Sequence, residues 1–325
     1  MKVLVVNQGL AKRIRQSLPQ EIEIITPQHG DDTEIATLAA DADIILATRL
    51  SPEVARAASN LRLLQKTGAG VDDIPFDAFN PDVQVANTSG ANPTPLAEGA
   101  LALILALAKH VIPRHNTFKG GRSGPPGTAL KDKKAGIIGM GSIGTEVAKR
   151  LQAFETQILA IRRTPNPQLK ETLGLQYLGG KDDINHVMKE ADIIVVTAPL
   201  TPETRGMIGE HQIRLMKPTA LIVNVARAAI IQEEPLYNAL QEGRIAGAAL
   251  DVWWKPHFWD PNWNPEGADA SKYPYWELPN VICTPHNIGS TDTQTDAGLQ
   301  IMIDNILRIR DGKPPINPVD PKLRY

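Results

Sequence analysis

Short apolar runs recur along this chain between segments of helical pattern, and this rhythm restricts the fold more than any other feature. The first part holds "VLVVN" (3–7), "EIEII" (21–25), "ADIILAT" (42–48), "LRLLQK" (61–66) and "VQVAN" (83–87). The series restarts with "KAGIIGM" (134–140), "QILAI" (157–161), "ADIIVVTA" (191–198), "ALIVNVA" (220–226), "AGAALDVW" (246–253) and "NVICTPH" (280–286). Helical patterns lie between them, as in "SPEVARAAS" (51–59), where Ser51 is a good N-cap and Pro52 suits the first helical position. Others are expected at 142–153, 182–190, 232–242 and 291–311. A strand that is apolar on both faces must be covered on both, which is the condition of a parallel sheet between helices. The chain is therefore expected to be α/β, with two doubly wound parallel-sheet domains.

With 325 residues and 42% apolar content, the chain is long enough for two cores. The Gly/Pro-rich stretch 119–134 is expected to be an exposed arm separating the halves. The last helical pattern lies far beyond the final strand and is expected to return to the first domain. A net charge of −2 leaves no basic surplus for a polyanion, so no nucleic-acid partner is expected. The single cysteine, Cys283, excludes an intrachain disulfide and suits a reducing compartment. The N-terminal apolar run is too short for a signal peptide. The stretch 96–112 carries Glu98 and Lys109 and reads as a buried helix rather than a membrane span. A cytoplasmic location follows as the expectation.

"GIIGMGSIGTEVAKRL" places Gly139, Gly141 and Gly144 in GxGxxG spacing, with an apolar strand leading in and an amphipathic helix leading out. Such a turn lets backbone approach a pyrophosphate, which then rests on the first N–H groups of the helix. At the end of the next strand, 18 residues beyond Gly144, stand Arg162, Arg163 and Thr164. An acid there would hold the ribose hydroxyls of NAD, whereas two guanidiniums and a hydroxyl can hold a 2′-phosphate. NADP is the expected cofactor, with NAD as the other possibility.

Over "KTGAGVDDI" (66–74), "ANPTPLAEGALALILAL" (91–107), "GIIGMGSIG" (136–144), "VVTAPLTPETRGMI" (195–208), "MKPTALIVNVARAAII" (216–231), "GRIAGAALDVW" (243–253) and "LPNVICTPHNIGS" (278–290), the chain resembles the D-isomer-specific 2-hydroxyacid dehydrogenases. That family includes glyoxylate/hydroxypyruvate reductases, phosphoglycerate dehydrogenases and formate dehydrogenases. The resemblance implies a flavodoxin-like substrate domain from 1–97 and 289–325. It implies a Rossmann NAD(P)-binding domain over 98–288, an active site in the cleft between them, and a homodimer formed through the helix 94–112 and the arm after it. It also implies that Arg227 binds a substrate carboxylate and polarises the carbonyl, and that His286 is the acid/base. Backbone N–H groups of Ala69, Gly70 and Val71 are implied to meet the carboxylate, with Asn92 also touching substrate. The implied cofactor contacts are Gly139, Gly141, Ser142, Ile143 and Gly144, then Arg162, Arg163 and Thr164, then Ala198, Pro199, Thr204, Val225, Ala226, Asp251 and Gly289. Asp251 is the implied acceptor for the nicotinamide carboxamide. Arg49 and Lys66 either add positive charge to the cleft or are ordinary charges, and the residues leave this open. No metal is implied.

The chain also departs from the family. An "EP" glutamate usually stands five residues after the aspartate equivalent to Asp251, where it supports the histidine; here that position is Pro256, flanked by Lys255 and His257. Either the acid has moved into the segment that follows, as Asp260 or Glu266, or the dyad is incomplete. The incomplete dyad is the expectation, because a proline-rich loop holds a base poorly. Reduction is then expected to weaken above neutral pH. This segment also carries Trp253, Trp254, Trp259 and Trp263, read either as a packed loop or as an aromatic lid on the site. Smaller departures are Ala228 and Glu155, both where glycine is usual, and "IIQEEPL" (230–236). The leading expectation is an NAD(P)-dependent reductase of a small 2-oxo acid, glyoxylate or hydroxypyruvate. Formate-dehydrogenase-like chemistry and a nucleotide-sensing, corepressor-like binding protein are the alternatives.

Overall fold

The computed structural model describes residues 1–120, 124, 126–255, 270–291 and 295–325. The chain forms two compact units, Met1–Asn92 with Asp292–Tyr325, and Pro93–Thr291. The first unit has five strands, β1 (Lys2–Val5), β2 (Glu23–Ile25), β3 (Ile44–Ala47), β4 (Leu63–Lys66) and β5 (Gln84–Ala86). They pair in parallel in the order β2-β1-β3-β4-β5. Successive side chains along a strand point to opposite faces. Leu4, Ile45, Leu64 and Val85 therefore enter one layer with the helices Asp32–Ala39 and Pro52–Ala57. Val3, Val5, Ile44, Leu46 and Leu63 enter the other, with Gln8–Arg15 and Thr295–Arg310. Ser51 caps its helix by accepting from the Val54 N–H at 3.3 Å. The last helix does return to this sheet. Asn305 donates to the Gln65 side chain at 2.7 Å, and Arg62 donates to the Ile309 carbonyl at 2.7 Å.

The second unit has seven parallel strands, β6 (Lys134–Ile138), β7 (Gln157–Ile161), β8 (Tyr177–Gly179), β9 (Ile193–Val196), β10 (Leu221–Asn224), β11 (Gly247–Leu250) and β12 (Val281–Cys283). Their order is β12-β11-β10-β9-β6-β7-β8, the doubly wound dinucleotide-binding arrangement with one strand added at an edge. Ile137, Ile158, Val195, Val223 and Ala249 pack with the helices Pro93–Ala108 and Ser142–Gln152. Ile138, Leu159, Ile194, Val196, Ile222 and Leu250 pack with Ile184–Glu190, Glu210–Leu215 and Glu233–Gln241. Burial on both faces is why these strands read as unbroken apolar runs.

Several expectations are corrected. β8 was not anticipated, because three residues at a sheet edge, two of them only half-buried, leave little apolar signal. The units divide at 92/93 and 291/292 rather than 97/98 and 288/289, because the helix starting at Pro93 already buries Ala97, Gly99 and Ala100 in the second unit. That helix stops at Ala108 instead of running to 112. His110 takes a left-handed φ of 53°, and a second helix, Val111–Thr117, leaves at 53° to the first. The described residues of 119–134 belong to the second unit and do not separate the halves; Leu130 among them is 4% exposed and belongs to the core. Glu155 has a φ of 59°, which explains why glycine suits that position. No single helix among the described residues is long and apolar enough to cross a membrane.

Candidate active site

The glycine loop sits where the second sheet reverses its strand order, between β6 and β9. Gly139 has a φ of 109°, and a Cβ there would lie 2.4 Å from the Ala198 backbone nitrogen. The Thr197 hydroxyl donates to the Gly139 carbonyl at 2.7 Å, tying the two strand ends together. A Cβ on Gly144 would meet the Gly139 carbonyl at 2.4 Å, so this glycine lets helix and turn close up. Gly141 differs: a Cβ there meets nothing within 4 Å, and no side chain caps the helix that follows. Its openness, with uncapped N–H groups at Ser142 and Ile143, is what an arriving pyrophosphate needs. The residues present fit a dinucleotide.

Arg162, Arg163 and Thr164 are all exposed directly after β7. Arg163 also pairs with Glu203 at 3.3 Å. Ala198 is buried beside Gly139, while Pro199 is exposed. The Thr204 hydroxyl donates to the Pro199 carbonyl at 2.7 Å and accepts from the Thr201 N–H at 2.8 Å, so it braces its own turn. Gly289 has a packing reason for its small size, since a Cβ would stand 2.7 Å from Leu96.

Arg227 follows β10 and is half-buried. Its placement is set by Asn224, a fully buried residue whose side chain accepts from the Ala226 N–H at 3.0 Å and donates to the Arg227 carbonyl at 3.0 Å. Val225 is buried and Ala226 half-buried in the same turn. Asp251 follows β11 and is 2% exposed. Its Oδ1 accepts from the Thr284 hydroxyl at 2.7 Å and from the N–H groups of Asn287 at 3.1 Å and Ile288 at 3.2 Å. The carboxylate thus holds the turn after β12 in which His286 adopts a left-handed φ of 56°. The reading of Asp251 as a cofactor ligand alone had missed this.

Burial pushes the Asp251 carboxyl above its usual range, against the lowering effect of those hydrogen bonds. A carboxyl whose folded pKa is raised contributes stability that is complete below the unfolded pKa and is lost as pH rises through the folded value. The charged form at neutral pH is therefore unfavourable to the fold. Asp251→Asn keeps an acceptor oxygen for the turn and removes the charge. It is expected to melt within about 3 °C of the parent or above it at pH 7, a gap that widens in its favour between acid and neutral pH. A drop of many degrees in calorimetry at pH 7 would contradict this assignment. Burial pushes the thiol of Cys283, three residues before His286, up to about 12, which keeps it protonated at neutral pH.

The tryptophan-rich segment begins as core. Trp253 donates from Nε1 to the Thr284 carbonyl at 2.9 Å, and Trp254 from Nε1 to the Ile231 carbonyl at 2.9 Å. Trp254 stacks on the fully buried Tyr275 at 5.2 Å, whose hydroxyl donates to the Glu233 carbonyl at 2.6 Å. The Lys255 N–H meets the Ala270 carbonyl at 3.0 Å, and the Glu233 carboxylate accepts from the Ser271 hydroxyl at 2.6 Å and the Lys272 N–H at 2.7 Å. Trp253 and Trp254 are therefore packed with the second unit's core. Pro256, His257, Trp259, Asp260, Trp263 and Glu266 lie outside the described residues.

In the first unit, Ala69, Gly70 and Val71 follow β4, and Val71 is buried in that unit's core. Their loop is tied back by Asn87, which donates to the Ala69 carbonyl at 2.9 Å, and by the Thr88 N–H, which donates to the Gly68 carbonyl at 3.2 Å. Asn92 is half-buried just before the helix Pro93–Ala108. Arg49 is exposed. Lys66 is 4% exposed and donates to the Thr48 carbonyl and to both Asp73 carboxylate oxygens, at 2.5 and 2.7 Å. Its charge is neutralised within the unit, which favours the structural reading of that lysine.

Residues 101–287 match the family model described as the D-isomer specific 2-hydroxyacid dehydrogenase NAD binding domain. The chain belongs to this family. It is 34% identical over 300 residues to a D-3-phosphoglycerate dehydrogenase of Methanocaldococcus jannaschii, covering 90% of this chain and 54% of the relative. It therefore spans about half the length of that curated relative. A hydroxypyruvate reductase of Thermotoga maritima is 33% identical over 307 residues, with 91% of this chain and 95% of the relative covered. The crystal structure of a D-isomer specific 2-hydroxyacid dehydrogenase family protein from Aeromonas salmonicida superposes with a TM-score of 0.81 at 26% identity, over 98% of this chain and 99% of that one. The second unit is thus the nicotinamide-dinucleotide domain of a 2-hydroxyacid dehydrogenase family member. Sequence reasoning missed Asn224, Thr284 and the Trp253 indole as supports of this domain's site. Only Asn224 left a signal, as a polar residue ending an apolar strand.

Proposed function

We propose that this 2-hydroxyacid dehydrogenase family member is an NADP-preferring reductase of small 2-oxo acids, with glyoxylate or hydroxypyruvate as substrate, acting as a homodimer. One observation carries the reading: Arg227, Asp251 and His286 follow the carboxyl ends of three adjacent parallel strands, β10, β11 and β12, in the same sheet as the glycine loop. Open α/β sheets bind ligands at that edge. A bound nicotinamide supplies hydride to the carbonyl carbon. The Arg227 guanidinium, planar and permanently charged, grips the substrate carboxylate and polarises the carbonyl. His286 gives its proton to the oxygen as negative charge develops there. The similarity to the Thermotoga hydroxypyruvate reductase supports the substrate class. The exposed apolar side chains of Val111, Ile112 and Phe118 support the homodimer.

The test is consumption of NADPH and of NADH with glyoxylate and with hydroxypyruvate, beside reduction of NADP⁺ by formate. Turnover of a 2-oxo acid with NADPH is expected. Formate oxidation without 2-oxo acid reduction, or dinucleotide binding with no turnover at all, would displace this reading. The NADP preference rests on Arg162. A charge-assisted hydrogen bond to a phosphate contributes about 1.5–3 kcal/mol, so Arg162→Ser is expected to raise the KM for NADPH roughly ten- to a hundredfold. The KM for NADH should change little. Equal changes for the two cofactors would remove Arg162 from phosphate recognition.

A further inference from the structure

We infer that Trp253 is a positioning residue for proton transfer by His286, acting through the backbone carbonyl of Thr284. The inference rests on the reading of His286 as the acid/base. His286 holds a left-handed φ of 56°, a conformation that a non-glycine residue keeps only when its surroundings enforce it. The enforcement comes from the strand end next door. Thr284 has its N–H bonded to the Leu250 carbonyl at 3.0 Å, its hydroxyl to Asp251 at 2.7 Å and its carbonyl to the Trp253 indole at 2.9 Å. Every polar group of Thr284, two residues before His286, is thus engaged by residues 250, 251 and 253.

Trp253 can serve as an anchor because it is itself packed on its other side. It is 8% exposed and sits edge-on to Tyr275, with ring centroids 6.4 Å apart and planes at 70°. Tyr275 is in turn fixed by its hydrogen bond to Glu233 and by the stacked Trp254. A phenylalanine could fill most of this space. Only an aromatic ring with an N–H can fill it and also donate to the Thr284 carbonyl. Without that donor, one of the three restraints on Thr284 is lost and a half-buried carbonyl loses its protein donor. The turn then relaxes, and the imidazole loses the sub-ångström placement that proton transfer requires.

The experiment is steady-state kinetics of Trp253→Phe with NADPH and the best 2-oxo acid, with solvent deuterium isotope effects. The expected result is a kcat lowered roughly tenfold, a KM for NADPH within about twofold of the parent, and a larger solvent isotope effect on kcat, because proton transfer becomes slower. If Trp253→Phe does not fold, β-(3-benzothienyl)alanine at 253 keeps the indole shape without the N–H and carries the same expectations. Parent kcat and parent isotope effect in the variant, with His286→Asn inactive, would overturn the inference alone. Parent-level activity in His286→Asn would instead overturn the acid/base reading on which it stands.

Discussion

Arg227→Ala is expected to lower kcat/KM for a 2-oxo acid by roughly 10³-fold while leaving NADPH binding nearly intact. The side chain is assigned two tasks at once, gripping the carboxylate and drawing charge from the carbonyl, and alanine performs neither. The truncation gives up the guanidinium's own bond to the Ala226 carbonyl at 2.8 Å, but the turn keeps its other restraints. Asn224 holds the Ala226 N–H and the Arg227 carbonyl, and both bonds survive the truncation. Arg227→Lys keeps the charge but not the planar fork, so a loss of about 10²-fold is expected for it. Kinetics with varied 2-oxo acid and varied NADPH separate the two effects. A loss below tenfold for Arg227→Ala would remove Arg227 from the substrate site.

His286→Asn is expected to lower kcat by about 10³-fold and to flatten the pH dependence of reduction. Asparagine is the informative replacement because, unlike most residues, it tolerates the left-handed conformation found at 286. Asp251 still accepts from Asn287 and Ile288, so the turn should persist and the melting temperature should stay within a few degrees of the parent. The lost activity then reports on proton transfer alone. Retention of more than a tenth of the parental kcat, or an unchanged pH profile, would show that the proton comes from elsewhere.

One departure from the family pattern, the helix start at 230–236, meets Trp254 and the chain from Ser271 onward. "IIQEEPL" places Glu233 where its carboxylate receives Ser271 and Lys272 and its carbonyl receives the Tyr275 hydroxyl. Those contacts anchor the limb that returns after the tryptophan-rich segment. The changed helix start and the limb from Ser271 to Tyr275 are therefore packed together, although 38 positions separate Glu233 from Ser271.

The strands and their burial were legible because apolar runs flanked by helical patterns admit few arrangements, and eleven of the twelve strands among the described residues answer to a run. β8 escaped because "YLG" at an edge buries too little to leave a pattern. The glycine loop was legible for a local reason: strand, turn and helix are contiguous, so spacing carries the geometry. Arg227, His286 and Asp251 stand out through their motifs, but the way they are held does not. Lys66 shows the limit plainly, since nothing in "KTGAGVDDI" tells that its ammonium turns to Asp73 rather than outward. The amino-acid order thus determined the alternation of elements, the two parallel sheets and the dinucleotide turn. Only the tertiary structure decided that Asp251 would hold Thr284 across 33 positions and that Trp253 would reach the same residue across 31. Parallel sheet order makes distant strand ends neighbours, and hydrogen bonds between such neighbours leave no periodicity for a sequence to display.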